Sequence, residues 1–113
     1  MNIHWPIFLR DTDGVMSCYR DAREFAGCVE RLPVEDEEYS GWDREGQPLS
    51  FYWDDSASRP RVSAVTGPAQ PAKLRESIMA HARVLNPREK FECDEADPCR
   101  LFLAADAHAD RNR

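Results

Sequence analysis

Short connections between apolar segments constrain the fold of this chain more than any other feature of its sequence. Three turn-forming stretches, D-T-D-G (11–14), D-R-E-G-Q (43–47) and D-S-A-S-R-P (55–60), separate segments with strand-like patterns. Connections of this length suit antiparallel hairpins, whereas a parallel crossover needs roughly a dozen residues or more. The sequence therefore predicts an antiparallel sheet and argues against a doubly wound α/β fold.

Alternating apolar residues locate the predicted strands. In residues 2–10 the apolar side chains of one face are Ile3, Trp5, Ile7 and Leu9. A period of two is typical of a strand, and Pro6, which has no N–H, predicts that this strand lies at a sheet edge or carries a bulge. The remaining predicted strands are residues 15–19, 34–43, 48–54 and 61–66.

Two segments have helical periodicity. Asp21 and Glu24 form a predicted capping box at the start of the first helix, and Pro33 is expected to end it. Its predicted apolar face comprises Phe25, Cys28, Val29 and Leu32. Gly27 lies inside this helix and indicates a close packing contact with the sheet. The second helix, residues 72–86, follows Pro71 and ends at Asn86-Pro87.

These elements predict an α+β fold in the order ββαβββα, with about five antiparallel strands and two main helices packed on one face. Residues 1–105 are expected to form a single domain. Asp97-Pro98 is a candidate cap for a last short helix, and residues 106–113 are predicted to fray because they have little to bury.

Composition narrows the classes of partner. The chain has 113 residues, 42% of them hydrophobic and 32% charged, which is typical of one globular domain. Its net charge of −6 disfavours nucleic acid and anionic membranes and favours a basic protein or a cation. The N-terminal residues lack the pattern of a signal peptide, and no apolar run is long enough to span a bilayer, so we expect a cytoplasmic protein.

No catalytic, cofactor or metal motif is found. The chain lacks a G-x-S-x-G nucleophile elbow and a phosphate-binding glycine loop, and Asp11-x-Asp13-Gly14 is too short for a calcium loop. The four cysteines form no C-x-x-C pair, so we predict small buried hydrophobic residues, with Cys93 and Cys99 the candidates for a bridge or a metal. We therefore predict a non-enzyme without cofactor or metal.

His81 shares an apolar helix face with Leu74, Ile78 and Leu85. One interpretation is a core histidine with a satisfied ring nitrogen. The other is a pH-sensitive or partner-facing group.

An acidic and aromatic segment, residues 35–55, is the main candidate for a binding surface. Four consecutive acids are unusual in a predicted strand because like charges repel, and aromatic rings flanked by carboxylates are typical of a surface that binds a basic protein. The predicted partner-binding residues are Glu35, Asp36, Glu37, Glu38, Trp42, Asp43 and Tyr52. The alternative is that the aromatic residues belong to the core and the acids only keep the protein soluble.

Residues 38–51, E-Y-S-G-W-D-R-E-G-Q-P-L-S-F, resemble the E-Y-x-x-[WYF]-D-x-x-G-x-P-L hairpin of many small acidic bacterial proteins. Several of those proteins resemble immunity proteins of polymorphic or type VI-secreted toxins. The resemblance implies a non-catalytic cytoplasmic protein that binds and blocks a cognate toxin, and it assigns no functional residue.

Two other classes of function stay open. One is a small-molecule-binding or enzymatic domain with a pocket near Trp5, Trp53 and His81. The other is a structural subunit that forms a homodimer through an exposed sheet edge.

Overall fold

The computed structural model describes residues 2–110, which form a five-stranded antiparallel sheet with four helices. The elements in chain order are β1 (Ile7–Arg10), β2 (Met16–Tyr19), α1 (Ala22–Cys28), α2 (Arg31–Glu35), β3 (Ser40–Asp43), β4 (Pro48–Asp54), β5 (Arg59–Ala64), α3 (Pro71–Leu85) and α4 (Pro98–Asp110). The strand order is β2-β1-β3-β4-β5, and all neighbouring strands are antiparallel. The predicted α+β class is therefore confirmed.

Helices cover both faces of the sheet, which corrects the prediction that they share one face. Ile7 and Leu9 of β1 pack with Phe25 and Val34 on what we call the α1–α2 face. Phe8, between them in sequence, points the other way and packs with α3 and α4 on the α3–α4 face. All three β1 residues are at most 2% exposed, because a central strand covered on both sides needs apolar side chains on both.

β1 lies inside the sheet, between β2 and β3, and the predicted edge position is wrong. The strand begins at Ile7, so Pro6 precedes it and no ladder hydrogen bond is required of the proline nitrogen.

The predicted strand 34–43 is also shorter than expected, because its first residues belong to α2. Pro33 is the third residue of that helix, where the backbone N–H has no intrahelical partner, so a proline is tolerated there. α1 ends earlier, at Cys28, with the Val29 N–H donating to Phe25 O. Leu32, predicted to belong to the buried face of the first helix, is 69% exposed.

α1 begins as predicted, with the Glu24 N–H donating to Asp21 Oδ1 at 2.8 Å. The return bond of the box runs from Arg20 N–H to Glu24 Oε1, one residue before the cap. A Cβ on Gly27 would meet nothing within 4 Å, so close packing does not explain that glycine.

Two hairpin loops share one sequence pattern, D-x-[DE]-G, and one geometry. Asp11 Oδ1 accepts the N–H groups of Asp13 and Val15, and Gly14 takes a positive φ of 85°. The loop between β3 and β4 repeats these bonds with Asp43 as acceptor and Gly46 at φ 83°. Both predicted turns are confirmed, and an aspartate carboxylate organises each.

The predicted boundary at residue 105 is too early, because α4 continues to Asp110. Its start is capped as expected, with the Cys99 N–H donating to Asp97 Oδ1 at 3.0 Å. Near its end His108 is 4% exposed and its Nε2 lies 3.1 Å from Glu89 O, while Asn86 Nδ2 donates to His108 O. Residues 106–110 are therefore helical and packed, and residues 111–113 of the predicted tail lie outside the described part.

Each outer strand of the sheet has one position that cannot donate an N–H to a further strand. The outward N–H of Met16 in β2 donates to His81 Nδ1 of α3 at 3.0 Å. Next to β5, the Val65 N–H donates to Pro48 O of β4. Backbone N–H groups along a strand alternate between facing the neighbouring strand and facing outward, so the nitrogen of Pro60 faces outward. A helix histidine accepts the N–H at that position of β2, and a residue without an N–H stands at that position of β5.

Candidate functional site

The acidic run Glu35–Glu38 is not part of a strand. Glu35 is the last residue of α2, Asp36 is its C-cap, and Glu37 has a positive φ of 55° in the turn that follows. All four side chains are exposed. These acids therefore do not repel one another across strands, and no partner is needed to offset such repulsion. The run is nevertheless accessible.

A second acidic segment joins part of this run. Pairing of β1 with β3 sets Arg10 opposite Ser40, and this places the 11–14 loop beside residues 37 and 38. An open cavity of about 520 Å³ is lined from both segments. The acids that line it, here called the acidic surface, are Asp11, Asp13, Glu37 and Glu38.

The pKa of the neighbouring Tyr39 phenol is raised above its ordinary value. Partial burial raises the pKa of Tyr39 first, and the charges of Glu30, Asp11 and Glu38 raise it further. Sequence analysis missed Asp11 and Asp13 because only the strand pairing brings them close to the later run.

Trp42 was predicted to contact a partner, but it belongs to the core of the α3–α4 face. It is 5% exposed, and its indole Nε1–H donates to Gln70 Oε1 at 3.1 Å. The Arg10 guanidinium lies over its ring, 5.4 Å from the centroid. Side chains alternate between the two faces along β3, and that of Trp42 points into the core, so only the edge of its ring borders a groove.

Asp43 was also predicted to contact a partner, but it is fully buried and structural. Its Oδ1 accepts the N–H groups of Glu45 and Gln47 at 2.9 and 3.0 Å. Its Oδ2 accepts the backbone N–H of His4 at 3.1 Å, and the half-exposed His4 ring lies 3.4 Å from the same oxygen. This carboxylate ties the N-terminal segment to the β3–β4 loop.

Tyr52 is accessible but separated from the acidic run. It is 51% exposed and lies opposite Arg61, on the part of the α3–α4 face that β4 and β5 form. α3 and α4 pack over the other three strands, so the side chains of β4 and β5 on this face stay polar and largely exposed. The structure thus brings together Glu37 and Glu38 among the predicted site residues, and it places Tyr52 on the opposite side of the sheet from α2.

The β4–β5 loop contains a third structural aspartate. Asp54 Oδ1 accepts from the Ser56 hydroxyl and N–H, and Asp54 Oδ2 accepts from Arg61 at 3.0 Å. These bonds from Ser56 and Arg61, with one from the Ala57 N–H, lower the pKa of Asp54 to about 2.

Trp5, Trp53 and His81, predicted to line one pocket, do not come together. Trp5 and Trp53 pack on the α1–α2 face, whereas His81 lies on the other side of the sheet and is 1% exposed. Because His81 Nδ1 accepts the Met16 N–H, its Nε2 holds the proton and donates to Asp106 Oδ1 at 3.2 Å. The interpretation as a core histidine is the correct one.

The cysteines are free thiols. Cys18, Cys93 and Cys99 pack half-buried against the α3–α4 core, and Cys28 is exposed. Burial, with smaller contributions from Cys99 and Glu24, raises the pKa of the Cys18 thiol to about 12. Within residues 2–110 no group of three or more histidine, cysteine or acidic side chains is arranged to hold a metal ion.

Comparisons with protein-family models, with curated proteins and with solved structures find no match to this chain. Over the described residues, none of the helices has the length and apolar character needed to cross a membrane.

Proposed function

We propose that this chain is a non-catalytic, cytoplasmic binding protein of the immunity type, which blocks a cognate bacterial toxin through a basic surface of that toxin. The observation that carries the proposal is the acidic surface. Two segments about 25 residues apart in sequence, 11–14 and 37–38, converge on one exposed region. The resemblance of residues 38–51 to immunity-type hairpins supports the choice of toxin as the partner.

Three carboxylates of the acidic surface have no ion-pair partner among the described residues, although Arg10 lines the same cavity. Across the described chain, no lysine or arginine lies within ion-pair distance of Asp13, Glu37 or Glu38, whereas Glu35 pairs with Arg31 at 2.6 Å. Unpaired exposed carboxylates retain their full long-range field, which accelerates encounter with a basic protein and orients it. The proposed contact therefore centres on residues 13, 37 and 38, and it excludes the buried Trp42 and Asp43.

The first experiment tests the biological role. The product of the gene adjacent to the one encoding this chain is expressed in a bacterial host with and without the chain. We expect the neighbouring product to arrest growth and the chain to restore it. Toxicity that the chain does not relieve, or a neighbouring product without toxicity, would contradict the immunity role.

The second experiment tests the surface. A triple variant, Asp13→Asn with Glu37→Gln and Glu38→Gln, is compared with a control triple that removes the same charge at exposed positions elsewhere, Glu45→Gln with Glu92→Gln and Asp94→Asn. Surface plasmon resonance against the neighbouring product should show an association rate about tenfold lower for the first variant only. The difference should largely vanish at about 0.5 M NaCl, where charges are screened within a few ångströms. Equal rates for the two triples would refute the assignment of this surface.

A further inference from the structure

A groove of about 480 Å³ lies between the β3–β4 hairpin and α3. It opens beside the shortest strand pairing of the sheet, in which β3 pairs with β4 only at Gly41–Leu49 and Trp42–Pro48. Its volume falls within the range of about 300–1,000 Å³ that small-molecule sites occupy. In a protein with a net charge of −6, the groove is notable for its two cations, Arg10 and Lys73.

The guanidinium of Arg10 is held in place by buried groups. Its Nη1–H donates to the hydroxyl of Ser77 at 3.1 Å, and Ser77 is 4% exposed. Its Cζ lies over the indole of Trp42, 5.4 Å from the ring centroid, and Gln70 Oε1 accepts the indole N–H. These two contacts restrain the guanidinium and so reduce the conformational freedom that binding would cost.

Arg10 is half-buried but has no anionic partner. Among residues 2–110 no carboxylate lies within ion-pair distance of it, although the cation is partly withdrawn from water. A guanidinium has five N–H donors, and the hydroxyl of Ser77 accepts only one hydrogen bond from it. A desolvated, oriented guanidinium with unused donors matches the two oxygens of an oxyanion.

The other residues that line the groove limit the kind of anion that can bind there. Lys73 adds a second, exposed cation on α3, while Glu76 is an acid of the same lining and disfavours a doubly charged ligand. Pro48 and the edge of the Trp42 ring supply the apolar wall. We propose that this groove binds a small organic monocarboxylate, whose carboxylate pairs with Arg10 and whose apolar body lies against Pro48 and the edge of Trp42. Arg10, Ser40 and Ala80 also line the cavity at the acidic surface, so the two proposed sites are neighbours.

The test is a titration of the ¹⁵N-labelled chain with sodium benzoate, followed by NMR and matched in ionic strength with sodium chloride. The indole N–H of Trp42 should shift and saturate, whereas those of Trp5 and Trp53 should stay fixed because they lie on the opposite face. Inorganic phosphate forms a second arm. Saturation by phosphate without saturation by benzoate would overturn the monocarboxylate assignment.

Variants decide whether Arg10 carries the binding. Arg10→Gln should raise the Kd for benzoate by about tenfold or more, since it removes a charge-assisted pair. Arg83→Gln removes the same charge from an exposed position of α3 outside the groove and should leave the Kd unchanged. If Arg10→Gln does not fold, Lys73→Gln replaces it and should raise the Kd about twofold to fivefold. Shifts that stay linear, shifts of all three indoles, or equal Kd values in the groove variant and Arg83→Gln would each refute the proposal.

Discussion

Replacing Asp43 by asparagine should destabilise the protein far more than the same change at Asp11, although the two residues organise hairpin loops of the same pattern. In both loops one oxygen accepts two backbone N–H groups, and asparagine retains that oxygen. The difference lies in the second oxygen. In Asp43 it is fully buried and accepts the His4 N–H at 3.1 Å.

The magnitude follows from that one bond. In Asp43→Asn the amide nitrogen takes the place of Oδ2, so the His4 N–H faces a donor and loses its acceptor. A hydrogen bond to a charged group contributes about 1.5–3 kcal/mol, so we expect a loss of about 2–3 kcal/mol in the free energy of unfolding. At about 4 °C per kcal/mol for a domain of this size, Tm should fall by roughly 10 °C. Asp11→Asn, which breaks no third bond, should cost below about 1 kcal/mol.

Urea denaturation followed by tryptophan fluorescence measures all the variants. His4→Ala serves as a further control, because it removes the imidazole but keeps the backbone N–H, and it should cost less than about 0.5 kcal/mol. If Asp43→Asn and Asp11→Asn differ by less than about 0.5 kcal/mol, or if His4→Ala matches Asp43→Asn, the buried backbone bond is not what makes Asp43 structural.

Three further predictions concern other parts of the chain. His81→Phe removes the acceptor of the Met16 N–H and should cost about 1–3 kcal/mol in urea denaturation; a loss below about 0.5 kcal/mol would show that this edge N–H finds another partner. At about pH 8, iodoacetamide should modify the exposed Cys28 well before Cys18, whose raised pKa of about 12 keeps it a thiol, and equal rates by mass spectrometry would contradict that burial. Because the pKa of Asp54 is lowered from 3.8 to about 2, its contribution to stability should be complete above about pH 4 and should disappear as the pH falls through 2. Asp54→Asn should remove this part of the acid-unfolding profile, and an unchanged profile would refute it.

Features set by neighbouring residues were predictable from the sequence. The two D-x-[DE]-G loops, the cap at Asp21 and the long helix α3 each depend on interactions within a few residues. Local chemistry alone selects them.

Features set by distant residues were not predictable in the same way. Helices cover both faces of β1 because α3 and α4 pack on the side opposite α1 and α2. The uninterrupted apolar run Ile7–Leu9 is the one local sign of this arrangement in the sequence. The sequence does not reveal α2, because Pro33 fits a helix end as well as the first turn of a new helix, which tolerates proline.

The candidate site had the same limitation. The exposed run Glu35–Glu38 could be identified from charge alone, but its companions Asp11 and Asp13 depend on the β1–β3 pairing. Trp42 and Asp43 were assigned to the surface because the sequence does not show which side of β3 is covered. The groove at Arg10 depends on β1, β3 and α3 together, so no local pattern could have predicted it.

The part of the α3–α4 face that no helix covers, formed by β4 and β5, offers a site for attaching a label. Ser63 lies there on the outer strand with an exposed side chain, and it lines neither the groove nor the cavity at the acidic surface. A fluorophore or surface tether attached at this position would leave both cores intact. It would also hold the molecule with its acidic surface and its groove unmodified, so that one immobilised sample could report on both proposed ligands.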